Sequence, residues 1–228
     1  MTRFEQIKEL TSKLFHQQQV ELHPLFVHMR ENRFTPLQAK AAALQIYHVV
    51  EYFPRFLSAI LTNIPDYRLR MPLVENLFEE HGRMNEKRVH LETYKQFLTG
   101  IGVTAEELAT SEPIVPVIAY NRAITDLCLH HPYAEGLAAL GVIEEIVARV
   151  SPIVGRYALS HYEKEKQDLS HFTDHETLDV THANEIYELA ARIYEGENRP
   201  LIERGLQLGM YYHTRLYTDI LTHVSAIS

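Results

Sequence analysis

Apolar side chains recur at spacings of three and four through most of this chain, as in HVVEYFPRFLSAIL, VPVIAYNRAITDLCL and GVIEEIVARV, rather than in alternation. Only nine Gly and ten Pro punctuate the 228 residues. A chain patterned at the helical period must bury its apolar stripes against one another, which predicts an all-α fold. With no repeat, low-complexity tract or long linker in view, one domain over residues 1–228 is expected, a compact bundle of seven to nine helices.

Local signals place the helices. The first is expected over about residues 3–31, and a second begins where Thr35 caps and Pro36 takes the first helical position. Pro54 should kink that second helix, which ends near Asn63-Ile64-Pro65-Asp66. A third runs over about 67–81 into Gly82 and the polar RMNEK, after which the pattern resumes near His90. Thr104 and Glu107 have capping-box spacing for a short helix. A helix after Pro113 ends at Pro132, and a long one bends near Pro152. EKEKQD reads as a solvated connection to a helix carrying HETLDVTHANEIYELAARIYEG up to Gly196. Pro200 opens the last.

Charge and cysteine content narrow the function. A formal charge of −8 and the lack of a Lys/Arg cluster argue against a nucleic-acid surface, and favour a small-molecule substrate or a protein partner. No segment approaches the roughly 18 apolar residues of a membrane span, and the N-terminus lacks an apolar signal core. Cys128 has no second cysteine to pair with. The expected location is therefore the cytoplasm. Quaternary state is expected to be a homodimer, the commonest closed symmetry.

The residues most telling of chemistry are His175, Asp179 and His182 in HETLDVTH. At about 100° per residue, positions i, i+4 and i+7 fall within roughly 60° of each other, so the three leave one helix face. Two imidazoles and a carboxylate are ligand chemistry for non-haem iron or manganese. Three donors fill only part of a two-metal site, which draws further carboxylates from other helices of a bundle. Glu144 in GVIEEIVARV is one candidate, because an unpaired carboxylate on an apolar helix is costly to bury. Glu145 points about 100° away, so one of the two faces any given site. Glu80 in NLFEEHG is another. The plainer readings are an ion pair of Glu144 with Arg149 or Arg156, a Glu80 that complements a helix dipole, and a packing or capping His90.

NLFEEHG with HLETYKQFL, then GVIEEIVARV, then HETLDVTHA, together with YHVVEYFPRFLSAIL upstream, resembles the haem-oxygenase-like dimetal oxidases over about residues 23–183. The closest resemblance is to the branch that holds a death-domain-associating protein and bacterial p-aminobenzoate synthases. That resemblance implies a haem-oxygenase-like seven-helix bundle around a central pocket, with Glu80, His90, Glu144, His175, Asp179 and His182 as metal ligands. It also implies two iron ions, or an iron and a manganese, with O2 as co-substrate and electrons from an external reductant or reductase. Glu144, His175 and Asp179 would be the catalytic set, with Glu144 bridging the ions, Glu80 and His90 favouring one and the 175–182 triad serving the other. Such a dimetal oxidase would act on a small organic substrate, in p-aminobenzoate and folate synthesis.

Two departures from the family pattern stand out. Glu80 and His90 are ten residues apart where relatives often space these ligands by seven, and position 87 is Lys; a helix break at Gly82 would realign His90. Self-sacrificing p-aminobenzoate synthases consume an internal Tyr and take an amino group from a Lys, but here no Lys follows Glu144 before Lys164, and Tyr47 and Tyr52 are the tyrosines in question. Two other functions suit the same fold: a cofactor-independent enzyme like those of pyrroloquinoline-quinone or thiamine metabolism, and a non-catalytic helical interaction protein. His16 and His23 lie seven apart without a carboxylate to complete a metal set, His171 is expected to orient a ligand, and His213 reads as a surface or packed residue. No G-x-G-x-x-G fingerprint marks an internal nucleotide site.

Overall fold

The computed structural model describes residues 1–162 and 170–227, and the side chains of all of these except 170 and 173–179. Among the described residues there are eleven α-helices and no strand. In chain order they are α1 (Arg3–Gln18), α2 (Pro24–Arg30), α3 (Pro36–Val50), α4 (Phe53–Asn63), α5 (Tyr67–Glu80), α6 (His90–Gly100), α7 (Ala105–Thr110), α8 (Val115–His130), α9 (Tyr133–His161), α10 (Ser170–Ile193) and α11 (Asn198–Ser225). None of the described helices is long and apolar enough to cross a membrane.

The excess over nine helices comes from two prolines. The expected helix over 3–31 is two helices, because Pro24 lacks an N–H and starts a new one. Gln19 turns left-handed at φ 46°, and His23, pushed to extended backbone before the proline, caps Leu25 N–H with its own Nδ1 at 3.2 Å. Likewise the expected second helix is divided before Pro54: α3 ends at Val50 and α4 begins at Phe53, with Glu51 and Tyr52 between them still in right-handed helical backbone and Pro54 in the first turn of α4. Capping boxes form at Thr35/Gln38 and Thr104/Glu107. The last helix starts at Asn198, two residues before Pro200, which sits in the first turn where no N–H is required. EKEKQD and Lys164 lie outside the described residues.

α9 is the axis of the bundle. It runs 29 residues, about 44 Å, continuous through Pro152, and from Ala134 to Glu144 every residue is buried. A helix apolar all round must be wrapped on all sides, and α10 and α11 pack along it. Small residues let them come close. A Cβ on Gly141 would lie 2.8 Å from the Tyr187 ring of α10, and one on Gly209 of α11 would lie 2.5 Å from the carbonyl oxygen of Ala139.

Gly209→Ala should therefore lower stability by about 2 kcal/mol, overpacking against backbone outweighing the roughly 1 kcal/mol that Ala gains over Gly inside a helix. Urea unfolding read by circular dichroism measures this. A midpoint equal to or above the parent's would contradict the close α9–α11 contact.

Candidate metal centre

Three helix ends and two helix interiors bring the polar residues together. Glu80 is the last residue of α5 and His90 the first of α6. Between them the backbone turns left-handed at Gly82, Arg83 and Met84, with φ of 62°, 53° and 65°, and closes through two short 3-10 turns. A Cβ on Gly82 would sit 2.5 Å from the backbone of Arg88 and 2.6 Å from Val89 N, so the return strand of the turn lies directly on this glycine. The result is a hydrogen bond of 2.9 Å between His90 Nδ1 and Glu80 Oε1. The expected break at Gly82 thus does realign His90.

Glu144, in the middle of α9, and His182, in α10, form the second group. Glu80, His90, Glu144 and His182 are 4, 7, 3 and 3% exposed. Glu144 Oε1 accepts a hydrogen bond of 2.7 Å from Asn76 Nδ2 of α5. His182 Nε2 lies 2.6 Å from Glu79 Oε2; a carboxylate only accepts, so Nε2 carries the hydrogen and, in the neutral ring, Nδ1 carries the lone pair. That Nδ1 is buried without a hydrogen-bond partner and faces Glu144 Oε1 at 4.0 Å, beyond hydrogen-bond reach. Burial alone would raise the Glu79 carboxyl, but hydrogen bonds from Arg83 and His182 outweigh it and hold the group below the usual carboxylate range. Glu145 points outward to Arg149, Lys8 and the Tyr187 hydroxyl. Arg149 is thereby engaged with Glu145 and Glu21, not with Glu144.

His171, buried at the start of α10, meets Thr93 Oγ1 at 3.1 Å, while Thr93 donates to the His90 carbonyl at 2.9 Å. With that hydroxyl hydrogen used, the imidazole donates from Nδ1 and its Nε2 is the lone-pair nitrogen. α10 also carries positions 175, 179 and 182 on one continuous helix; the side chains of His175 and Asp179 lie outside the described residues. Among the described residues no three His, Asp or Glu side chains already stand as a metal-holding group.

Glu80, His90, Glu144 and His171 open onto a cavity of about 150 Å³ that is otherwise mainly apolar, lined by Phe26, Val49, Phe97, Ile143 and Val150 among others. Five tyrosines line it: Tyr94, Tyr120, Tyr157, Tyr162 and Tyr217. Tyr47 and Tyr52 do not. His213, expected on the surface or as a plain packing residue, is buried in the wall and joins two of these tyrosines, with Nδ1 2.7 Å from the Tyr120 hydroxyl and Nε2 2.9 Å from that of Tyr217. Burial pushes its pKa down to about 3, so the ring is neutral. His16 and His23 fall on separate helices, His16 exposed and His23 bonded to Thr218. Cys128 is fully buried, and burial pushes its thiol pKa up.

Asn76, Glu79 and Thr93 escaped the sequence reading. Asn76 lies one helical turn before Glu80, and that i, i+4 spacing was the available signal. Glu79 and Thr93 have no local signal, because their partners lie on other helices.

A family model described as iron-containing redox enzyme matches residues 40–221. This chain belongs to that family. A protein from Chlamydia trachomatis serovar D named 4-aminobenzoate synthase is 31% identical over 188 residues, 82% of this chain and 80% of that one. Its namesake from Nitrosomonas europaea is 26% identical over 172 residues, 71% of this chain and 68% of the other. A CADD-like protein of unknown function from Nostoc punctiforme superposes with a TM-score of 0.82 at 14% identity, covering 97% of this chain and 98% of its own; a heme oxygenase-like fold is the description of a Shewanella denitrificans structure matched at TM-score 0.72, 13% identity, 97% and 91% coverage. The fold is haem-oxygenase-like and the protein is an iron-containing redox enzyme. Membership sets aside the non-catalytic reading and favours the metal-dependent reading over the cofactor-independent one. The donors fit iron: imidazole nitrogen and carboxylate oxygen are its ligand types, and the orphaned Nδ1 of His182, held in its lone-pair form by Glu79, is the usual posture of a metal-binding histidine.

The buried His213 gives a pH dependence with a definite sign. Its ring titrates near 6.5 when unfolded and near 3 when folded, so below 6.5 the unfolded state takes up a proton that the folded state refuses. Stability should fall with pH by about 1.4 kcal/mol per unit from this group between about pH 6 and 4. Urea midpoints at pH 6 and pH 4 should show a shallower loss for His213→Gln. An equal slope in parent and variant would place the group elsewhere.

Proposed function

We propose that this protein is a dimetal, O2-dependent oxidase whose product is 4-aminobenzoate. The observation that carries the reading is the facing pair of His182 Nδ1 and Glu144 Oε1, 4.0 Å apart and buried, beside the Glu80–His90 pair on the same cavity. The unpartnered Nδ1 of His182, held in its lone-pair form, and a buried carboxylate beside it are donor types that iron takes. Glu80, His90, Glu144, His175, Asp179 and His182 would hold two iron ions, or one iron and one manganese. Iron bound there supplies the one-electron chemistry that activates dioxygen.

The chain's own residues do the rest. Glu79 fixes the His182 tautomer, Asn76 aims the Glu144 carboxylate, and Thr93 ties His171 to the first turn of α6. The apolar wall keeps water from the reacting atoms, and its volume suits one aromatic ring, since an engineered cavity of about 150 Å³ holds benzene. The names of the relatives support 4-aminobenzoate, and five cavity tyrosines support an aromatic precursor, whether free or from the chain itself. Electrons come from an external reductant or reductase. The acidic composition and single buried Cys128 support a cytoplasmic enzyme, and a homodimer is its proposed assembly.

Loaded anaerobically with Fe(II), the purified chain should hold two iron per polypeptide by elemental analysis, and with reductant and O2 should release 4-aminobenzoate detectable by mass spectrometry. Glu144→Ala and His182→Ala should each lower the iron content. Gly82→Ala, which alters no ligand but forces the Arg88–Val89 backbone away, should do the same. Carbon-13 in the product from tyrosine-labelled protein identifies the chain as the source of the ring, and its absence a free substrate. One iron or none in the parent, or no 4-aminobenzoate with any reductant, would refute the proposal.

A further inference from the structure

The Tyr120–His213–Tyr217 group has a hydrogen too many. Its members come from α8 and α11, helices that carry none of the proposed metal donors, and all three line the cavity while buried to 3 or 4% exposure. A neutral imidazole carries one N–H and each phenol one O–H, three hydrogens in all. Two are used in the hydrogen bonds to His213. The third must sit on the oxygen of Tyr120 or of Tyr217, according to which ring nitrogen is protonated. His213 is the one hydrogen-bond partner that either phenol has among the described residues.

Among the described residues no other acceptor is hydrogen-bonded to either phenol, and aromatic rings pack against both. Phe26 stands edge-on to the Tyr217 ring at 4.9 Å, and Phe56 to the Tyr120 ring at 6.2 Å. A buried donor left without an acceptor is costly, and a pocket wall is where a ligand can supply one. The depressed pKa of His213 agrees with the neutral ring that the count requires.

We infer that this group is a ligand-recognition subsite, in which a phenol O–H of Tyr120 or Tyr217 donates to a carbonyl or carboxyl oxygen carried by a single-ring aromatic ligand. Because His213 can hold its hydrogen on either nitrogen, the unused donor can appear at either end of the group, and the bound oxygen selects which. The inference does not depend on the metal proposal, since no proposed ligand takes part.

The test uses two probes of nearly equal shape, acetophenone, which carries the acceptor oxygen, and cumene, which does not. Their association constants are measured by NMR titration of the full chain as purified, and of its Tyr120→Phe and Tyr217→Phe variants. The readout is the ratio of the two constants, which cancels their different hydrophobicity. The ratio should fall about tenfold in at least one variant, with cumene binding held within about twofold as evidence that the pocket is intact. A ratio within twofold of the parent's in both variants, or a parent that binds neither probe, would overturn the inference. If one substitution also abolishes cumene binding, the other carries the test alone.

Discussion

Charge buried away from water is the condition that the rest of this structure answers to. Glu80 and Glu144, with His90 and His182, lie where water scarcely reaches, and a carboxylate there is costly unless hydrogen bonds or a cation compensate it. The bundle provides compensation from several directions. Asn76 reaches Glu144 from α5, Glu79 reaches His182 from the same helix, and His90 folds back onto Glu80. α5 is thus the common tie, supplying one proposed donor and two supports within five residues. The close packing of α9 against α10 and α11 sets how near Glu144 comes to His182.

Much of this was legible in the sequence, for reasons that differ from residue to residue. Helical spacing gave the all-α class, because burying a stripe is a local demand that every turn repeats. Thr35 with Gln38, and Thr104 with Glu107, marked their helix starts because capping is settled within four residues. That one of Glu144 and Glu145 faces a given site follows from the roughly 100° between neighbours, and the family resemblance points to Glu144. Pro24 is a local signal too, since it stops the helix that the apolar pattern alone carries on to residue 31. What the sequence could not show was pairing across helices: that Glu79 would find His182, that Thr93 would find His171, or that His213 would join two phenols 93 and four residues away. Those partners are fixed by packing, which no local pattern encodes.

The cavity is chemically two-sided. Helices α5, α6, α9 and α10 bring carboxylates and imidazoles to it, with the phenols of Tyr94 and Tyr157, while α8 and α11 bring two phenols and a neutral imidazole but no carboxylate. Between them the wall is aliphatic and aromatic. Such a division suits a ligand that reacts at one group and is recognised by another, because the recognising contacts need not change as the reaction proceeds.

The left-handed run Gly82–Met84 has a consequence for how the chain tolerates change in length. Glu80 and His90 meet across a non-helical reversal closed on Gly82, so a change in the number of residues between them would act through the path of that turn and not as a rotation about one helix axis. Along α10 the rule is different. There a single inserted residue would swing each following donor about 100° around the axis, and His182 would leave Glu144 altogether. The two halves of the proposed centre therefore answer to different rules of insertion and deletion, one set by the path of a turn and one by rotation about a helix axis.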